Sequence, residues 1–91
     1  MTNQVVESGV PLVPATGSNV LVRSGSGNIL GFYSSASQAV AIYDSATAAG
    51  AGAANQILAA SACAIGWNPF PAIFNNGLVV NFASAATLVM A

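Results

Sequence analysis

Charge is what this sequence lacks most. Of its 91 residues only Glu7, Arg23 and Asp44 are ionised at neutral pH, 3% of the chain, against about 25% in an ordinary soluble domain. Histidine and lysine are absent. Each shortage closes a class of function. Without histidine or lysine, and with one cysteine, acid–base and nucleophilic catalysis have few groups to work with. No carboxylate pair, Ser–His arrangement or oxygen-rich calcium loop is written in the chain, so no enzyme, no cofactor and no metal site are expected. A single arginine cannot neutralise a phosphate backbone, which sets nucleic acid aside as a partner. Cys63 cannot form a disulfide or a thiolate metal cluster within one chain. Between Ala62 and Ala64 it reads as a small packing residue.

A monomer with so little charge would be poorly soluble, so the composition points to lipid or to burial in a protein assembly. The run Ala46 to Trp67 is long enough to span a bilayer. Asn55, Gln56, Ser61 and its glycines dilute it, alanine contributes little to insertion, and no basic residue flanks it. Met1 to Ser8 carries no basic residue and leads into no apolar core, unlike a signal peptide. Assembly is therefore the working expectation, with a small holin-like membrane protein as the alternative from another class.

What is present reads as β-structure. Between Asn19 and Tyr43 three apolar runs, Val20–Val22, Ile29–Tyr33 and Ala39–Tyr43, are cut by the small loops Ser24–Asn28 and Ser34–Gln38. This pattern predicts a three-stranded antiparallel meander. Its alternate side chains are apolar on both sides, as in a sheet covered on both faces. The loop Gly25-Ser26-Gly27 misses the spacing of a dinucleotide fingerprint and precedes no helix, so it reads as a hairpin turn.

Later segments continue the theme. Ser45–Ala54 is a small-residue loop, and Gln56 to about Ile65 a strand with Ile57 and Cys63 on one face and Leu58 on the other. In Gly66–Pro71 two prolines interrupt regular pairing and concentrate Trp67 and Phe70 in a rigid corner. Asn75-Asn76-Gly77 is the strongest turn signal, fitting a type I′ hairpin. Leu78–Phe82 and Thr87–Met90 are strands, with Ala83–Ala86 a turn between them. Pro11 and Pro14, with scattered valines, make Met1–Ser18 an extended arm that docks on a surface. The whole reads as an all-β fold: a small antiparallel β-sandwich or jelly-roll-like barrel over 19–91, preceded by an N-terminal arm over 1–18.

The succession Val20–Tyr33, Ala41–Gly50, Trp67–Phe70 and Asn76–Phe82 resembles a layout found in small structural proteins of tailed bacteriophages, and the resemblance covers Asn19 to Ala91. It differs in the alanine-rich run Ala46–Ala64, which leaves the pairing of the fourth strand open. The resemblance implies a virion component, made in the host cytoplasm. The expected role is decoration or cementing of a capsid, with a tail tube, fibre or adaptor part as the alternative. The expected partners are the major capsid protein or other virion subunits and further copies of the chain. The partner-binding candidates are Val10, Leu12 and Val13 in the arm, and Trp67 and Phe70 in the corner, where large aromatics either plug the sandwich or anchor a partner. Arg23 and Asp44 are expected as solvated charges at strand ends, with a mutual ion pair as the other reading.

Overall fold

The computed structural model describes residues 12–91. It contains six antiparallel strands: β1 (Leu12–Ser24), β2 (Gly27–Ser34), β3 (Gln38–Asp44), β4 (Gln56–Cys63), β5 (Gly66–Phe74) and β6 (Gly77–Met90), with one 3-10 turn at Ala53–Asn55. Together they form an antiparallel sheet that is nearly barrel-shaped. Among the described residues no helix is long and apolar enough to cross a membrane; part of the run considered as a span, Gln56–Cys63, is strand β4.

β6 organises the sheet. β1 pairs with it from Leu12 opposite Val89 to Ser24 opposite Gly77. Along its other edge β6 meets β3 over Leu78–Phe82 and β2 over Ala86–Met90. β4 lies outside β3 and β5 outside β2. The expected meander is therefore absent: β1, β2 and β3 each pair with β6, not with one another. The reason lies in burial. Leu78, Val79 and Val80 have no exposed surface, and a strand this apolar on consecutive positions is most stable with a neighbour on each edge. Nor are the turns at Gly25-Ser26 and Asn75-Asn76 hairpins. Each connects strands that are not paired, carrying the chain from one half of the sheet to the other.

The four tracks β1, β6, β2–β3 and β5–β4 are folded once across their middle. In β1 the crease lies at Gly17–Asn19, where the register slips and both Gly17 (φ 127°) and Asn19 (φ 53°) have positive φ, readily adopted by glycine and tolerated by asparagine. In β6 it lies at Ala83–Ala85, the stretch without a partner in β2 or β3. A bend breaks ladder bonds, and side chains restore them. Gln38 accepts from the Ser84 N–H (2.8 Å) and donates to the Ser84 carbonyl (3.1 Å) and to Ser34 Oγ (2.9 Å). The Ser35 hydroxyl donates to the Ala85 carbonyl (2.7 Å). Between β4 and β5, Asn68 accepts from the Ala64 N–H (3.2 Å) and donates to the carbonyls of Ala64 (2.9 Å) and Gly66 (3.0 Å). With its polar groups satisfied, Ala83–Ala86 continues the strand where a turn was expected.

The core fills the space inside the fold. Val40, Ile42, Leu78, Val80 and Phe82 come from one half, Ile29, Phe32, Phe74, Leu88 and Met90 from the other. Phe32 and Phe82 meet across the crease with ring centroids 5.3 Å apart and planes at 62°, the edge-to-face contact favoured by the ring quadrupoles. In β4 the register slips twice, between Gln56 and Leu58 and between Leu58 and Ser61, which upsets strict alternation, so Ile57, Leu58 and Cys63 all pack against this core.

Two further expectations change. Leu12–Ser18, read as the end of an arm, is the first half of β1, its Leu12 to Ala15 lying opposite Val89 to Ala86. Pro14 is tolerated because, among the described residues, β1 pairs with β6 alone, and an edge strand accommodates proline. The remainder of the expected arm, residues 1–11, lies outside the described residues. Gly66–Pro71, read as too proline-rich for a strand, begins β5, likewise at an edge of the sheet. Pro69 faces Gly31, and Pro71 falls within a register slip.

Candidate functional surface

Alternation along the strands of the β5–β2–β6–β1 half puts one set of side chains on the core and the other outside. The outward set forms rows across the sheet. One runs Pro14, Thr87, Tyr33, Trp67, and the next Leu12, Val89, Gly31, Pro69. Leu30 and Ile73 extend the surface toward the open end, both exposed. No residue named in this face is charged. The opposite half differs: behind its core-facing side chains Val79 and Ala41 are themselves buried. There Leu21, opposite Val79, is the exposed large apolar side chain, so most of the open apolar surface, though not all of it, belongs to the β5–β2–β6–β1 half.

Trp67 stands on the edge strand β5, leans back over β2 and is held in place. A side chain at Gly31 would lie 2.5 Å from the indole ring, so the bare glycine is what lets the ring lie across β2. On its other side Tyr33 stacks against it, centroids 4.9 Å apart and planes at 47°. Tyr33 and Trp67 stay 51% and 43% exposed. An exposed aromatic pair with restricted rotamers loses little entropy on binding, which suits an anchor. Two open hollows flank it. One, of about 430 Å³, runs past Tyr33, Ile65 and Thr87. The other, of about 440 Å³, lies along Leu30, Pro71 and Ile73.

The five candidates separate by strand parity. Leu12 and Trp67 lie on this face. Val13 and Phe70 face inward against the core, because neighbours in a strand point to opposite sides. Val10 lies outside the described residues. Tyr33, Leu30 and Ile73 were missed: Leu30 and Tyr33 have opposite parity in β2 and are both exposed only because the register slips between Ile29 and Gly31, which strict alternation along the sequence does not state.

Of the charged side chains in the described residues, Asp44 takes a structural post. Arg23 and Asp44 flank Leu78 from opposite sides, and Asp44 turns to the backbone instead. Its Oδ2 accepts from the Asn75 N–H (3.0 Å) and its Oδ1 from the N–H groups of Asn76 (2.8 Å) and Gly77 (3.4 Å). These bonds, with Asn75 the largest contributor, outweigh partial burial and hold its carboxyl below the usual carboxylate range. With both oxygens engaged, Asp44 serves as a turn clamp. Cys63 is a half-buried free thiol beside a hollow of about 150 Å³ that it shares with Phe32, Val40, Leu58 and Phe70. No protein-family model, curated protein or solved structure matches the chain.

Proposed function

We propose that this chain is a non-catalytic structural building block of a bacteriophage virion, decorating or cementing the capsid by docking its open sheet face on neighbouring subunits. The observation that carries the docking mode is the uncharged apolar face that presents the braced Trp67–Tyr33 pair. The virion setting rests on the sequence resemblance, and the near absence of charge fits a protein that works inside an assembly.

Magnitudes support a repeated contact over an isolated one. A face four strands wide and about eight residues long spans about 500 Å². Two such faces bury about 1,000 Å², the lower limit of specific interfaces. One contact of this size is weak once association costs are met. Many copies on a lattice convert it into firm attachment through avidity. The partners in this proposal are the major capsid protein or another virion subunit, together with further copies of the chain.

The test is light scattering of purified protein across a concentration series, with incorporation into particles measured in parallel. Wild type self-associates or requires a capsid partner for solubility, and Trp67→Ser lowers both association and incorporation while the β-sheet circular dichroism is unchanged. A monodisperse monomer at high concentration that still enters particles after Trp67→Ser refutes the docking face. Incorporation into tails and not heads moves the protein to a tail component.

A further inference from the structure

The turn that Asp44 clamps contains Asn76-Gly77, a dipeptide with its own chemistry. Glycine leaves its nitrogen unhindered, so that nitrogen can attack the side-chain carbonyl carbon of the preceding asparagine. A bond forms from Gly77 N to Asn76 Cγ and the Cγ–Nδ2 bond breaks. Ammonia departs with the proton that Gly77 N gives up. The resulting five-membered imide then adds water at either carbonyl, leaving aspartate or isoaspartate. No catalyst or co-reactant other than water is required.

In the folded chain the attacking group is occupied. The Gly77 N–H donates to Asp44 Oδ1, which also takes the Asn76 N–H. The backbone is pinned on both sides of the scissile geometry: the Asn76 carbonyl accepts from the Gly25 N–H (3.0 Å) and the Gly77 carbonyl from the Ser45 N–H (3.0 Å). Gly77 is buried, packed against the carbonyls of Ser45 and Arg23, while Asn76 is open to water. Attack needs the Gly77 nitrogen to leave its carboxylate partner and swing toward Asn76 Cγ, and every one of these contacts opposes that motion.

We propose that Asn76 is a latent deamidation site and that the Asp44 carboxylate is its guard. While the clamp holds, the amide survives; once it opens, Asn76 becomes an acid. The product reinforces the change, since a carboxylate at position 76 faces Asp44 at the same turn and like charges repel. The turn leads directly into β6, on which β1, β2 and β3 all depend, so modification loosens the sheet at its organising strand. Asp44 thereby sets the chemical lifetime of the fold.

The experiment incubates wild-type protein, Asp44→Asn, Asp44→Ala and Val40→Ala in warm neutral buffer beside a free peptide of residues 72–80. Peptide mapping reads acid and isoaspartate at position 76. Opening a hydrogen bond to a charged group corresponds to about a tenfold to hundredfold effect. Wild type is expected to react at least about tenfold more slowly than the peptide, and Asp44→Ala at least about tenfold faster than wild type, with Asp44→Asn between. Val40→Ala, a core variant remote from the turn, stays at the wild-type rate in conditions where it is folded. Equal rates in wild type and peptide, or in folded Asp44→Asn and wild type, overturn the proposal. The wild-type and peptide pair decides it even if Asp44→Ala does not fold.

Discussion

Replacing Gln38 by alanine tests whether side chains hold the crease that shapes this fold. Gln38 supplies both partners of Ser84, accepting its N–H at 2.8 Å and donating to its carbonyl at 3.1 Å, and bonds Ser34 as well. Alanine leaves two half-buried backbone groups without partners, each costing about 1–1.5 kcal/mol. The expected loss is about 2–3 kcal/mol, a large share of a small domain's stability of about 5–15 kcal/mol. At about 4–8 °C per kcal/mol for a domain of this size, Tm falls by roughly 10–20 °C. Urea unfolding followed by circular dichroism and by the fluorescence of the single tryptophan, at fixed protein concentration, measures it. Asn68→Ala is the matched control. Asn68 bridges the crease between β4 and β5 in the same way, but Ala64 is exposed, so water takes its place and the loss stays under about 1 kcal/mol. If Gln38→Ala costs no more than Asn68→Ala, the bend is set by packing alone and the argument from backbone satisfaction is wrong.

Further outcomes follow from the same contacts. Gly31→Ala pushes a methyl into the Trp67 ring and the Asn68 carbonyl and costs about 1–3 kcal/mol by overpacking, together with a shift in tryptophan emission as the indole is displaced. Phe82→Ala removes a fully buried ring from the contact across the crease and costs about 3–5 kcal/mol, enough that a thermal melt shows little cooperative transition. Asp44 gives a signed pH dependence. Its pKa is lowered on folding, so its contribution is whole at neutral pH and fades as pH falls from the ordinary aspartate value of about 3.9 through the lowered folded value. The Tm gap between wild type and Asp44→Asn therefore closes in acid, and a gap that persists there contradicts the clamp.

Part of this structure was legible from the chain. Ile29–Tyr33, Ala39–Tyr43 and Leu78–Phe82 lie within strands β2, β3 and β6, because apolar β-branched runs bounded by glycine, serine and asparagine specify extended chain locally. Asn75-Asn76 is a turn for the same local reason. The proline-rich and alanine-rich pieces misled, since Pro14, Pro69 and Ala83–Ala86 were weighed against an interior strand with straight pairing. An edge position excuses proline, and Gln38, more than forty residues from Ser84, excuses the bend. Of the candidate surface, Leu12 and Trp67 were readable as large apolar groups, but their sharing of a face with Tyr33 depends on register, which no local pattern states.

Composition by itself determined that this chain has almost no charge to place on a surface, and that its short apolar runs become strands rather than helices. Those follow from side-chain chemistry one residue at a time. Only the tertiary structure decided that β6 is the organising strand, that the turns cross between halves instead of closing hairpins, and which apolar face stays open. Strand partners are chosen by burial summed over the whole sheet. Shifting a strand by one residue exchanges its inner and outer faces without changing a letter of the sequence.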